Sequence, residues 1–324
     1  MDKLVSAVIP VYNEEKYIEK CINSLLLQDY DKSSMEFIFV DGCSQDRTVE
    51  IINRYAEKDP DLIRVMNNPY KVAPHAMNIG IENSTGKYII RLDAHSEYYP
   101  DYISKCVYYL ENTDADNVGG VAETISEGFV GNAIAGMLST KFGVGNSEFR
   151  TTGESGYVDT VPFGAFRRET FQRVGLFNTE LLRSEDNEIN ARIRKNGGKI
   201  YLSSDIRFKY YCRNTVGGIL TMGIKNGNAL FRTVKVSPDA MSIRHFIPFA
   251  FLVSLIVMPV LSAFFSLFGW LFAVEMALYL ALDIYFSFVK CKFKHGFVTV
   301  WLYPLFHICY GFGSLLGLLG IKLY

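Results

Sequence analysis

Over its first 95 residues the chain alternates between apolar runs and segments of helical period. Residues 4–11 (LVSAVIPV) are almost unbroken in their apolar character and predict a buried strand, with Pro10 marking an edge or a terminus. In residues 14–27, Ile18, Ile22, Leu25 and Leu26 recur on one face, as in an amphipathic helix. Residues 36–40 (EFIFV) predict a second strand, and 48–55 a helix capped by Ser44 or Asp46. A third strand follows over 62–66, a helix over 73–82, and a fourth strand over 88–92 (YIIRL). This βαβαβαβ alternation predicts an α/β fold with a mostly parallel sheet covered on both faces. Such sheets bind ligands at the carboxyl ends of their strands. The polar groups after strands one, two and four are Asn13-Glu14, Asp41 and Asp93, so the pattern predicts an acidic sheet edge.

Further along, residues 113–165 are rich in Gly, Thr and Ser and are expected to be irregular, a flexible region over the site. A short helix is expected at 168–174. A second covers 185–196, with Ile189 and Ile193 inward and Gly197-Gly198 beyond it. Short strands are expected at 200–202 and 207–211, then an amphipathic helix over 217–231. Past residue 245 the pattern changes. Residues 246–289 carry only two charged side chains, Glu275 and Asp283, and residues 296–321 carry none. Soluble cores rarely use apolar runs above about 18 residues. Three membrane helices are therefore expected, over 246–267, 270–289 and 297–321, at about 20 residues per crossing. The chain divides accordingly into a domain over 1–244 and a helical transmembrane region over 245–324. Arg232, Lys235 and Arg244 precede the first segment, and Lys290, Lys292 and Lys294 follow the second. A hairpin puts both clusters on one side, and the bias of basic residues makes that side cytosolic, with Lys322 opposite. The expectation is a multi-pass protein of the inner or plasma membrane with a cytosolic catalytic domain. Glu275 and Asp283 face either a partner helix or the interface.

Composition sharpens this picture. The formal net charge is −1, from 33 Lys and Arg against 34 Asp and Glu, so no basic excess points to nucleic acid. The mean hydropathy of +0.11 is high for a soluble chain, and the tail accounts for it. Six scattered cysteines have no CxxC spacing, which argues against zinc and for reduced thiols in the cytosol. The apolar run at 4–11 is too short, and too soon interrupted by Asn13-Glu14-Glu15, to read as a signal peptide. Neither GxxxxGK[ST] nor GxGxxG occurs. Acids at strand ends nonetheless suit a nucleotide with a divalent metal: carboxylates accept hydrogen bonds from base or ribose and ligate Mg²⁺ or Mn²⁺. With no phosphate loop, a bridging metal is the simplest way to neutralise the phosphates.

The residues also resemble a family. Val8-Ile9-Pro10-Val11-Tyr12-Asn13-Glu14 is similar to the opening strand of family 2 glycosyltransferases, which have a GT-A fold with a Rossmann-like nucleotide-binding sheet. Asp41-Gly42-Cys43-Ser44-Gln45-Asp46-Arg47-Thr48 resembles that family's DDGSTDGT turn. Asn78-Ile79-Gly80, Gly86-Lys87-Tyr88 and Leu92-Asp93-Ala94-His95 resemble its N-x-G, G-x-Y-I and L-D-x-D stretch. Residues 163–168 (FGAFRR) with 174–177 (VGLF) resemble its acceptor-side segment, and Ser184-Glu185-Asp186 its E-D motif. These segments occur in the family's order over residues 4–232. The DAH variant and the apolar tail look most like membrane-anchored exopolysaccharide glycosyltransferases of the succinoglycan-synthesis type.

The resemblance implies roles. Pro10, Tyr12, Glu14, Asp41, Asn78, Asp93 and Ala94 would bind the nucleotide-sugar. Asp93 and His95 would hold Mn²⁺ or Mg²⁺ on the diphosphate, although His95 replaces an Asp and could instead touch the diphosphate or support a ligand. Asp41 would act alone, since Gly42 replaces the second acid of the turn. Asp186 would be the general base, with Glu185 beside it positioning the acceptor. Gly164, Arg213 and Lys225 would contact acceptor or diphosphate more weakly. The reaction implied is inverting transfer from a nucleotide-diphosphate sugar, a UDP-sugar first, to a lipid-linked saccharide at the membrane. Two other products stay open: a polyprenyl-phosphate sugar, whose phosphate acceptor needs no general base, and a binding protein without turnover. Each residue also has a structural reading. Asp favours turns, acids complement a helix N-terminus, and Arg232 suits anionic headgroups.

Overall fold

A computed structural model of the chain describes residues 3–151 and 153–323. It divides into two compact units, residues 1–123 with 152–210, and 124–151 with 211–324. The break in composition falls near 245, but the break in packing comes at 210.

The first unit opens as the pattern predicts. Strand β1 (Val5–Val11), helix α1 (Ile18–Leu26), β2 (Met35–Asp41), α2 (Thr48–Ala56), β3 (Ile63–Asn67), α3 (Ala73–Glu82) and β4 (Tyr88–Arg91) follow one another. All residues of β2, and all of β1 except Pro10, are buried, as strands covered on both faces must be. Next come β5 (Ser96–Tyr98) and α4 (Tyr102–Asn112), then β6 (Asn117–Ile125). The chain continues through α5 (Gly128–Leu138), α6 (Lys141–Val144) and α7 (Glu148–Thr151), all three in the second unit. It returns to the first unit with β7 (Gly156–Tyr157), β8 (Ala165–Arg167), α8 (Arg168–Val174), α9 (Glu185–Lys195) and β9 (Ile200–Tyr211).

The described strands make one sheet in the order β3-β2-β1-β4-β8-β6-β9-β5, with β7 on β9. Pairs β3-β2, β2-β1 and β1-β4 are parallel, but β8 runs antiparallel to both β4 and β6, and β9 antiparallel to β5 and β7. The sheet is thus mixed: its first half is parallel as expected, and its second half is not.

The expectation of an irregular stretch over 113–165 fails, although Thr152 lies outside the described residues. A nine-residue strand and an eleven-residue helix occupy it. Gly119 and Gly120 in β6 are there because side chains would not fit. A Cβ at Gly119 would lie 2.4 Å from Val161 Cβ, and one at Gly120 would lie 2.3 Å from the Ile206 carbonyl oxygen. Glycines that serve close approach look, in sequence, like glycines of a loop. The two short strands expected near 200 and 207 are one continuous strand, β9.

The second unit is helical. Besides α5 to α7 it holds α10 (Val216–Val236), α11 (Ile247–Ser262), α12 (Ser266–Tyr285, continued by a π-helical turn over Phe286–Lys290) and α13 (Phe293–Leu318). Glycines bring α10 and α13 close together: a Cβ at Gly227 would lie 2.0 Å from the Tyr310 carbonyl oxygen, and one at Gly313 would lie 2.0 Å from that of Ile224. Two helices, over 266–290 and 293–318, are long and apolar enough to cross a membrane. The third expected span, α11, has 16 residues, about 24 Å of helix, against a hydrocarbon core of about 30 Å. Glu275 accepts a hydrogen bond from Ser254 of α11 at 2.6 Å, and Asp283 is buried and accepts one from Ser287 at 3.1 Å.

Candidate active site

The loops after β1, β2, β3 and β4 meet in an open cleft lined by Pro10, Tyr12, Glu14, Arg91, Asp93 and His95 among others. The first two loops are laced together by short polar side chains. Asn13 Oδ1 accepts from the Gln45 N–H at 2.8 Å, and Ser44 Oγ accepts from the Asn13 N–H at 2.9 Å. The Asp41 carboxylate accepts from the Ser44 N–H at 3.0 Å, so it closes its own turn, and Gly42 next to it lines the cleft. A Cβ at Gly42 would sit 3.3 Å from Lys71 Cα, which leaves little room there for the acid that the turn motif usually carries.

Among the described residues, five other than glycine have positive φ: Asn13, Cys43, Lys71, Phe163 and Ser184. Three belong to the loops after β1, β2 and β3, and two flank the acids of α9. Such strain persists where the surrounding structure over-determines it, which is common at functional sites.

Asp93 lies two residues beyond the end of β4. Its backbone N–H donates to the buried Tyr98 hydroxyl at 2.6 Å. Its carboxylate lies 2.7 Å from His95 Nδ1 and accepts the His95 backbone N–H at 2.9 Å. His95 Nδ1 also lies 3.2 Å from Glu14 Oε1. Burial opposes a charged imidazole, yet the Asp93 charge and hydrogen bond, with Glu14, push the His95 pKa well above its usual value. Burial likewise opposes the Asp93 carboxylate, but His95 and then Arg91 hold its pKa below the usual range. Among the described residues no group of three or more His, Cys, Asp or Glu is arranged to hold a metal ion by itself. One carboxylate and one imidazole on the same cleft are still donors of a kind that suits Mn²⁺.

At the same end of β4, two residues before Asp93, Arg91 is 6% exposed. Its Nη1 donates to Asp186 Oδ1 at 2.5 Å and its Nη2 to Glu185 Oε1 at 2.7 Å. The guanidinium lies over the rings of Phe163 (5.5 Å) and Phe177 (6.0 Å). Burial, helped by the like charge of Glu185, pushes the Asp186 pKa up to about 6, against the pull of Arg91 and of a hydrogen bond with the Phe163 backbone.

Five of the expected residues, Pro10, Tyr12, Glu14, Asp93 and His95, thus line one cleft, and Glu185 and Asp186 are tied to its Arg91. Others do different work. The Asn78 side chain clamps Phe177, donating to its carbonyl and accepting its N–H, both at 2.9 Å. Ala94 is buried. Gly164 leaves room for Asn117, whose Oδ1 would lie 2.0 Å from a Cβ there, and its carbonyl accepts the Arg91 N–H. Arg213 and Lys225 belong to the second unit. Sequence reasoning passed over Arg91 and Lys71. The signal for Arg91 was present: an arginine inside an otherwise apolar strand must find acids.

A mixed α/β sheet of this kind, with acids at the ends of its parallel strands, is a GT-A fold. The chain belongs to glycosyl transferase family 2, whose family model matches residues 6–175, and it is a glycosyltransferase. It is 27% identical, over 90% of this chain and 95% of the relative, to a dolichyl N-acetyl-α-D-glucosaminyl phosphate 3-β-D-2,3-diacetamido-2,3-dideoxy-β-D-glucuronosyltransferase from Methanococcus voltae. It is 31% identical to the succinoglycan biosynthesis protein ExoA of Rhizobium meliloti, over 64% of this chain and 62% of that one. The fold is similar to that of a Pyrobaculum calidifontis mannosyltransferase solved with GDP-Man and Mn²⁺, with TM-score 0.64 and 19% identity over 94% of this chain and 88% of that one. It is also similar to Staphylococcus aureus TarS 1–349 solved with UDP-GlcNAc, with TM-score 0.54 and 15% identity over 100% of this chain and 93% of that one.

Proposed function

We propose that the protein is an inverting glycosyltransferase that moves a sugar from a nucleoside-diphosphate donor, a UDP-sugar first, to a lipid-linked saccharide at a membrane. One observation carries this reading. Arg91, at the end of β4 and two residues before Asp93, holds Glu185 and Asp186, so the acids suited to proton transfer are tied to the cleft suited to the diphosphate. Glu14 and Asp41 would contact the nucleoside's base and ribose, and Asp93 with His95 would hold Mn²⁺ or Mg²⁺. The metal, when bound, neutralises charge growing on the leaving diphosphate. The acceptor hydroxyl oxygen attacks the anomeric carbon as the bond to the diphosphate oxygen breaks. The hydroxyl proton passes to the Asp186 carboxylate, and the nucleoside diphosphate leaves with the bonding electrons. A carboxyl whose pKa is about 6 is ionised at neutral pH and basic enough to take that proton.

The lipid-linked acceptor is supported by the two apolar helices and by the activity named for the Methanococcus voltae relative. A chain tethered to a bilayer searches for a bilayer-bound acceptor in two dimensions, so the tail suits such a substrate. Positive residues on both sides of the 246–289 segment support a cytosolic catalytic unit in a multi-pass arrangement.

The first test is thermal stabilisation of detergent-solubilised protein by UDP, GDP and CDP, each with Mn²⁺ or with EDTA. A diphosphate at 100 times its Kd adds about 2.7 kcal/mol. The expected result is stabilisation by UDP with Mn²⁺ only, lost in Asp93→Ala. Stabilisation by GDP alone moves the donor class, and none by any diphosphate overturns nucleotide-sugar binding. Asp186→Asn is expected to lower transfer by about 10²–10⁴-fold while leaving diphosphate binding intact. Unchanged transfer in that variant indicates a phosphate acceptor that needs no base.

A further inference from the structure

We propose that Arg91 is the positioning residue of the transfer reaction: one guanidinium, gripped between Phe163 and Phe177, aims Asp186 and is shared with Glu185, so that the base is held in place without being neutralised outright. The inference rests on Asp186 as the general base.

The geometry separates this role from that of an ordinary ion pair. Neighbouring residues on a helix point about 100° apart, so Glu185 and Asp186 would not normally meet one partner. Here Ser184, in the left-handed region at φ 65°, starts α9 and brings both acids to Arg91. The two Nη groups are divided between two carboxylates, whereas the usual strong pairing sets both against one. Arg91 Nε is buried and has no hydrogen-bond partner in the structure, so the two acids provide the guanidinium's hydrogen bonds to carboxylate. One cation for two acids leaves the cluster with an excess negative charge, in a place where burial makes that charge costly. The charged groups around Asp186 are Arg91 from β4 and Glu185 from α9, joined by the backbone of Phe163, and Asp93 acts on Arg91 from the same strand end. Because Arg91 and Asp93 are two residues apart, β4 sets the spacing between the proton-accepting end of the site and its diphosphate end. A 1 Å displacement of a reacting group can cost about 10²-fold in rate.

The test is an infrared pH titration of the full chain in detergent, with the Asp186 carboxyl signal taken as wild type minus Asp186→Asn. The variants are Arg91→Gln, Arg91→Lys and Glu185→Gln. Transfer is measured in parallel with UDP-[¹⁴C]GlcNAc and GDP-[¹⁴C]mannose, using extracted membrane lipids as acceptor. The expected result is that the Asp186 midpoint rises by about one pH unit or more in Arg91→Gln, falls in Glu185→Gln and stays nearer wild type in Arg91→Lys. In Arg91→Gln, kcat is expected to fall about 10²-fold with donor KM little changed, and Arg91→Lys is expected to restore part of it. If Arg91→Gln does not fold, Arg91→Lys and Glu185→Gln still decide the matter. Loss of transfer in Asp186→Asn, with an Asp186 midpoint unmoved in every folded variant, overturns the inference and leaves the base assignment standing. Full transfer by Asp186→Asn overturns both.

Discussion

Asp186 carries a consequence for pH that does not depend on the identity of the sugar. Its folded pKa of about 6 stands above the ordinary 3.8, chiefly because it is buried, so the folded protein binds this proton more tightly than the unfolded chain does. That contribution to stability is fully present below about pH 4 and is lost as pH rises through about 6. Asp186→Asn should therefore melt above wild type at pH 7.5, with the margin narrowing as pH falls below 6, which melting scans across that range would check. For Asp186 as the proposed base the catalytic sign is opposite: the ionised form would take the proton, so kcat/KM should fall on the acid side with an apparent pKa near 6. A rate that stays flat from pH 5 to 8 would remove Asp186 from the rate-limiting proton transfer. The acids of this cluster could be picked out from the Ser184-Glu185-Asp186 motif. That Arg91 would be their partner could not, because an arginine in an apolar strand shows that it needs acids but not which acids it will meet some 95 residues later.

At the scale of elements, periodicity served well wherever one element decided its own burial. Strands β1 and β2 are apolar because both faces are covered, and helices α1 and α2 show a stripe because one face is. It failed where two elements decide together. In β6 the glycines answer to Val161 and Ile206, and in α10 Gly227 answers to the backbone of α13. Gly227→Ala puts a methyl 2.0 Å from the Tyr310 carbonyl oxygen, which is backbone and cannot swing aside. The helices must separate, and overpacking of this kind costs about 1–3 kcal/mol. A lowered melting temperature of the solubilised protein is expected, with the proposed binding of UDP and Mn²⁺ by the folded fraction unchanged. A melting temperature equal to wild type would mean that α10 and α13 tolerate wider spacing than their glycines suggest.

For the whole molecule, topology in the membrane follows from which of its apolar helices cross. The proposed arrangement places residue 292 on the cytosolic side and residue 322 opposite. In a background without reactive native cysteines, Lys322→Cys should react with an impermeant maleimide in right-side-out vesicles, and Lys292→Cys only in inverted ones. Both reacting from one side would mean that α13 does not span. The 16 residues of α11 make it the helix least suited to a full crossing. The sequence by itself determined the parallel half of the sheet, the acidic strand ends, the family and the apolar tail, because each is written in neighbouring residues through period, run length or a contiguous motif. Only the tertiary structure decided the antiparallel half of the sheet, the packing boundary at residue 210 and the sharing of Arg91 between Glu185 and Asp186. Those depend on contacts between residues far apart in the chain, where an apolar, glycine or charged position takes its meaning from a partner that local pattern does not name.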